Sequence, residues 1–273
     1  MEISLSEINL TKTEQDEIER LLCNKKKGLS DLEQIWFLMD LVWDECLCDN
    51  VNLNLDNIGK FYSHPVWILN GLFIEQDKQS MGHRESIANW VSDKNFKNIV
   101  DYGGGFATLA RLISNKDSKV SISIYEPYPS DYGLNRVAEQ KNINFTDKLT
   151  NECDCLIATD VLEHVPDPIE HFVKMISSVK LDGYLVVANC FHPVIKCHLP
   201  QTFHYRYSFD IFAKILGLKV EGLLEGSHAT IYKKIKNVNP NWKLIHTFIR
   251  FSNLLFSLLQ KLKFILQPIR KMF

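Results

Sequence analysis

The stretch "NIVDYGGGFATLARL", Asn98 to Leu112, constrains the fold more than any other in the chain. A short apolar, β-rich run leads into three consecutive glycines, and these lead into apolar residues at helical spacing. Glycine lets the backbone adopt positive φ and lets another group approach it closely. A strand that ends in glycines before a helix allows a ligand to touch the main chain while helix N–H groups face it. The stretch therefore predicts an α/β unit with a binding loop at the end of a strand.

The same rhythm continues downstream. "VSISIYE" carries β-branched residues at alternate positions, "CDCLIATD" reads as a strand, and "PDPIEHFVKMISSVK" as a helix opening on proline. "GYLVVANC" reads as a buried strand, "SFDIFAKILGL" as a helix and "KVEGLLEGSHATIYKKI" as a hairpin. Strands alternating with helices predict a parallel, doubly wound sheet, to which the hairpin adds an antiparallel edge strand. Upstream, residues 1–60 read as helices. Thr11 stands three residues before Glu14 and Ser30 three before Glu33, both capping-box patterns. "FYSHPVWILNGLFIEQDKQSMGHRESIANWV" reads as a lid or connecting segment followed by a helix from about Gly82 to Val91. The expected organisation is a helical extension and lid over residues 1–80, the ligand-binding α/β domain over 81–236, and a tail over 237–273.

Charge sets the tail apart. The last acidic residue is Glu225, and nine Lys or Arg follow it, so a net charge of −2 divides into −11 over residues 1–225 and +9 beyond. An acidic body does not grip nucleic-acid phosphates with its main face, which excludes a nucleic-acid partner. Between Trp242 and Leu266 thirteen apolar residues, among them Leu262, Ile265 and Leu266, form a broad helical face. His246, Arg250, Asn253, Ser257, Gln260 and Lys261 form a polar stripe beside it. The longest uncharged run, Phe251 to Gln260, is too short to span a bilayer but can lie in the plane of an anionic one. Contact with a partner protein or another copy is the competing expectation. Seven cysteines, with two C-x-C pairs, fit neither a disulfide framework nor a zinc knuckle. "MEISLSEINLTK" lacks an apolar signal core, so the expected location is cytoplasmic, peripheral at the inner face of the membrane if the tail docks there.

The glycines do not match a nicotinamide fingerprint, because Thr108 stands where G-x-G-x-x-G wants its third glycine. The pattern is Asp101-x-Gly103-x-Gly105-x-Ala107, and Glu126 follows Gly105 by twenty-one residues at the end of the next strand. An acid there can accept hydrogen bonds from both hydroxyls of a ribose. Here the sequence resembles the class I S-adenosylmethionine-dependent methyltransferases. "VDYGGGFA" resembles their glycine motif and "IYEP" their ribose-binding strand end. "ATDVLEHVPDP" resembles the segment after their fourth strand, notably in the ubiquinone-biosynthesis-like and sugar O-methyltransferase-like branch, and "LDGYLVVANC" the strand that follows. The resemblance covers about residues 80–235. It implies a Rossmann-like seven-stranded sheet with an antiparallel last strand, and S-adenosylmethionine as cofactor. It places Gly103, Gly105 and Phe106 around the cofactor's amino-acid portion, with Asp101 orienting the loop or the ammonium. Glu126 would take the ribose diol, Asp147 the adenine amino group, and Asp160 would lie on the cofactor side.

Methyl transfer to a hydroxyl benefits from a base, and histidine suits that role near neutral pH. His164 is the first candidate. His192 and His198 join it from "FHPVIKCHLPQTFHYRYSF", where His204 and Arg206 stand among aromatics and suit a sugar substrate. Tyr62, His64 and Arg84, upstream of the glycines, are further substrate-binding candidates, and Arg84 could also meet the methionyl carboxylate. Asp160, Glu163 and His164 fall at i, i+3 and i+4, one face of a helical turn. Such a set can hold a divalent metal, although no metal is favoured. The expected function is O-methylation of a sugar or glycan, with a phenolic or quinone-like small molecule, or a silent cofactor-binding subunit, as alternatives.

Overall fold

The computed structural model describes residues 10–149 and 152–270, with side chains to Lys261. The opening residues and the side chains of Leu262, Ile265 and Leu266 lie outside the described set. Five helices come first: α1 (Lys12–Cys23), α2 (Asp31–Glu45), α3 (Leu55–Tyr62), α4 (Val66–Gln76) and α5 (Lys78–Asp93). Then follow β1 (Asn98–Tyr102), α6 (Thr108–Lys116), β2 (Ser121–Tyr125), α7 (Asp131–Val137), β3 (Ile143–Thr146) and β4 (Cys153–Thr159). The chain closes with α8 (Pro168–Ser178), β5 (Val179–Ala188), α9 (Tyr205–Ile215), β6 (Leu218–Leu223), β7 (Thr230–Lys234) and α10 (Trp242–Arg270).

The strands form one sheet in the order β3-β2-β1-β4-β5-β7-β6. β1 to β5 run parallel, and β7 pairs antiparallel with both β5 and β6. The seven strands and the antiparallel last strand are as expected, but that strand is not at the edge. β7 inserts beside β5 and leaves β6 on the edge, because α9 carries the chain past β5 before the hairpin folds back. Helices cover both faces, which explains why β4 is an unbroken buried run rather than an alternating one. One core cluster joins Phe172, Phe212 and Tyr232 on the side of α8 and α9, and the other joins Ile87, Ile113 and Ile122 under α5 and α6.

The N-terminal helices form a third layer with its own core of Ile18, Leu38, Trp43, Phe61 and Leu69. Both expected capping boxes are formed, at Thr11 and at Ser30. Residues 61–81, expected as a lid or connection, are instead the end of α3, all of α4 and the start of α5. α4 buries Val66, Ile68, Leu69, Gly71, Leu72 and Phe73, so it is apolar around most of its circumference. Its third layer reaches the sheet through Phe106 of the glycine loop and Tyr132 of α7, whose rings meet edge-on at 5.4 Å.

Gly71 makes that contact possible: a Cβ there would lie 1.8 Å from two carbons of the Phe106 ring. Gly71→Ala is therefore expected to lower unfolding stability by about 1–3 kcal/mol through overpacking. Gly82→Ala, in α5 with nothing within 4 Å of its Cβ, is the control, and should be neutral or gain up to about 1 kcal/mol. Urea unfolding of the two variants beside the parent measures both.

Candidate active site

The three glycines are required for different reasons. Gly103 has φ 72°, and a Cβ on it would meet Val161 Cγ2 at 2.6 Å, so the ends of β1 and β4 close on each other there. A Cβ on Gly104 would lie 2.7 Å from Asp101 Oδ2 and 2.9 Å from Ile124 Cγ2. Gly105 has φ 51° and open space over it. The protein's own atoms crowd the Cβ positions of the first two glycines and open space lies over the third, while the main chain of all three borders the same cavity. Ala107, at φ 61° and fully buried, caps the start of α6.

Glu126 stands across from this loop at the end of β2. Its Oε2 accepts from the Gly105 N–H and its Oε1 from the Tyr128 N–H, both at 3.1 Å. Burial raises its pKa, and these two donors oppose the rise. Asp101 is 1% exposed. Burial pushes its pKa up to about 7, against the pull of Arg84 and with the push of Glu126. Arg84 donates from Nη1 to the Ser80 carbonyl at 3.1 Å and lies in the field of Asp160, Asp101 and Glu75.

These groups line a cavity of about 1600 Å³ at the C-terminal ends of β1, β2 and β4, where the strand order reverses direction. Among the described residues, three that line it own buried polar atoms without a protein partner: Trp67 Nε1, Asp101 Oδ2 and Asn189 Oδ1. Unpaired buried polar atoms cost free energy, so a polar ligand that reaches them is favoured. One wall is aromatic. Tyr62 stacks on Trp67 at 5.2 Å and on Tyr128 at 5.9 Å, and both Tyr62 and Trp67 stand edge-on to His164.

His164 ends a short 3-10 turn after β4, Leu162–His164. Its Nδ1 lies 3.1 Å from the Cys197 carbonyl, so Nδ1 carries the proton and Nε2 is left as the acceptor. Burial, and then the neighbouring His198, push its pKa down to about 3, so the ring is neutral near pH 7. His198 packs against it at 4.7 Å and gives its own Nδ1–H to the His192 carbonyl at 2.7 Å. His192, His198 and His164 all line the cavity. Glu163 is fully buried behind them. It accepts from the Cys190 N–H at 2.7 Å through Oε1, and its Oε2 has no partner among the described residues.

Several expected residues sit elsewhere. His204 is buried with Nδ1 bonded to Ser252 of α10, and the Arg206 guanidinium lies 5.2 Å over Phe256 of the same helix. Neither lines the cavity; both hold α10. His64 borders it, but its Nδ1 accepts from the Val66 N–H at the start of α4 and its Nε2 meets Glu17 at 3.1 Å. Asp147 follows β3 and is not among the lining residues. Asp160, Glu163 and His164 do not share one face. Asp160 adopts φ 54° and turns to His228 Nε2 at 3.4 Å, while Glu163 points inward. The metal-type grouping that does form among the described residues is Glu163, His164 and His198, with ligand atoms within 4.8 Å. His228 itself, bonded through Nδ1 to His83 at 3.1 Å, escapes a reading by motif. β7 runs antiparallel to β5, so the tip before it returns to the rim where β4 and β5 end.

Asp101 yields a test that needs no ligand. Its folded-state pKa lies above its ordinary 3.8, so its contribution to stability is complete below that value and is lost as pH rises toward about 7. Without cofactor, the parent should lose roughly 4 kcal/mol more than Asp101→Asn between about pH 4 and pH 7.5. Paired urea titrations at the two pH values measure the difference.

Comparison with known proteins agrees with this geometry. The family described as a methyltransferase domain matches residues 74–210, half of the chain. No curated protein matches the sequence. Among solved structures, an O-methyltransferase family protein from Burkholderia thailandensis is 14% identical with a TM-score of 0.53, over 79% of this chain and 75% of that one. Mitomycin 7-O-methyltransferase is 11% identical with a TM-score of 0.46, over 81% and 66%. The plantazolicin methyltransferase, solved with S-adenosylhomocysteine, is 9% identical with a TM-score of 0.48, over 66% and 95%. The Burkholderia likeness is one of fold, and the family match runs through the glycine loop, the acid after β2 and the turn after β4. The chain belongs to the class I S-adenosylmethionine-dependent methyltransferases.

Proposed function

We propose that this enzyme methylates a hydroxyl group of a sugar or glycan, free or lipid-linked. The observation that carries the proposal is the pairing of the Tyr62–Trp67–Tyr128 wall with unpaired polar atoms on Trp67 and Asn189 and the neutral His164. A sugar ring offers apolar C–H faces for such a wall and hydroxyls for such partners.

The residues suit the cofactor. When bound, S-adenosylmethionine supplies a sulfonium methyl group open to in-line displacement. Gly103 and Gly105 would let its amino-acid portion rest on the main chain, with Phe106 beside the loop. Asp101, whose Oδ2 is unpaired, would receive the ammonium, which also favours its ionised form. Glu126 has two lone-pair sites left after its backbone donors are served, enough for a ribose diol. Arg84 is placed for a carboxylate on cofactor or acceptor, and Asp160 lies on the same side of the cavity. Tyr62 contributes its face to the acceptor wall.

His164 would hold the acceptor. With Nδ1 fixed on the Cys197 carbonyl, Nε2 accepts the hydrogen bond of the reacting hydroxyl and orients its lone pair. His198 keeps that ring in place, and His192 and His198 supply further contacts on the same wall. A ring with so low a pKa leaves the hydroxyl protonated in the ground state; once the oxygen has taken the methyl group and gained positive character it is acidic enough to give its proton to Nε2 of His164.

Methyl-labelled S-adenosylmethionine, given to the enzyme with fractionated extract of its source cells, tests the proposal. Label is expected in a carbohydrate fraction, and His164→Ala should lower the transfer rate about 10²–10⁴-fold. Label confined to phenolic or quinone-like molecules would overturn the sugar assignment. In a separate binding measurement, Glu126→Ala should weaken S-adenosylhomocysteine at least about 10-fold; undiminished affinity would remove Glu126 from the ribose site.

A further inference from the structure

α10 presents three faces. Ile245, Ile249, Ser252 and Phe256 share the side turned to the body: Ile245 is fully buried, Ser252 bonds Ser208 of α9, and Phe256 packs under Arg206. At roughly 100° per residue, Leu244, Phe248, Phe251, Leu255 and Leu258 share another. That arc is open, with Phe251 61% and Leu258 49% exposed, and Leu254 extends it at 61%. Lys243, Arg250 and Lys261 run along the margin next to Leu254, exposed as well. No helix among the described residues is long and apolar enough to cross a membrane.

We infer that α10 docks the enzyme on an anionic lipid surface, lying in the interface with the open arc among the acyl chains and the cations against headgroups. The charge pattern decides between occupants. From Trp242 onward the chain carries six cations and no acid, so a helix-to-helix contact with a second copy would set cations against cations with no acid on either helix to offset them. An anionic surface supplies the missing charge along the whole helix. The body adds direction. Residues 1–225 carry −11 and are repelled by the same surface, so α10 is the side on which the molecule can approach. Exposed leucines and phenylalanines beside a basic stripe are the composition of an interfacial helix. This inference does not depend on the acceptor proposed above.

Sedimentation with large vesicles tests it on the full chain. Vesicles of phosphatidylcholine with about 30 mol% phosphatidylglycerol should bind the parent at least about 10-fold better than phosphatidylcholine alone. Phe251→Ser with Leu255→Ser removes exposed apolar groups, and Lys243→Gln with Arg250→Gln and Lys261→Gln removes exposed charge. Each set should reduce binding to the mixed vesicles about 10-fold or more, while melting temperature with S-adenosylhomocysteine stays at the parental value. The inference is overturned if neither vesicle binds the parent, or if both variant sets bind as the parent does. It is equally overturned if the parent is a dimer by light scattering, Phe251→Ser with Leu255→Ser makes it monomeric, and no vesicle binding accompanies the change.

Discussion

Everything in the site depends on how closely the ends of β1 and β4 approach. Gly103 leaves just enough room for Val161, and Gly104 just enough for the carboxylate of Asp101 and the methyl of Ile124. A side chain at Gly103 would push the end of β4 from β1 at the point where the sheet's order reverses, and one at Gly104 would push against β2. Glu126 then ties the third strand end in, by accepting the N–H of Gly105. Three neighbouring strands are thus pinned to one loop within a few residues. The cavity takes its position from that loop rather than from the helices above it.

The electrostatics follow from the same crowding. Asp101 and Glu126 are forced close to each other and away from water, and burial raises the pKa of both. Asp160, on the next strand end, is instead lowered: burial opposes its ionisation, but the His228 hydrogen bond and charge outweigh it. Arg84 is the guanidinium that all this negative potential reaches, and its own pKa is lowered by burial. A cavity built this way favours a cation, and a sulfonium with an ammonium beside it is such a ligand. The histidines on the far wall obey the opposite logic. Burial keeps His164 and His198 neutral, so that side of the cavity receives hydroxyls without adding charge.

What the sequence made legible was local. The two capping boxes, the strand before the glycines and the acid twenty-one residues on could be read because each is a short-range pattern with one physical cause. α4 was not legible: buried on nearly every side between other helices, it has no polar stripe to give it a period. α7 and β3 are short, and their residues are mostly polar or half-buried, so neither period stands out. His204 and Arg206 looked like acceptor ligands because they share a segment with His192 and His198. Only the packing of α10 reveals what they touch. His228 had no local signal at all, since its place at the rim comes from a strand order that no single segment encodes.

Beside Tyr128 and His164 of the α/β domain, the acceptor wall is made by two pieces of chain that hold each other. The loop after β5 is gripped by the N-terminal helices: Asp40 accepts the Lys196 N–H, Asp44 pairs with the Lys196 ammonium, and Asn50 donates to its carbonyl. Tyr62 and Trp67 come from one piece, His192 and His198 from the other. For engineering they form one cassette, to be exchanged together because each holds the other in place. A transplanted cassette carries one fixed fitting, a residue without a side chain at position 71, because the Phe106 ring of the retained cofactor loop already fills that space.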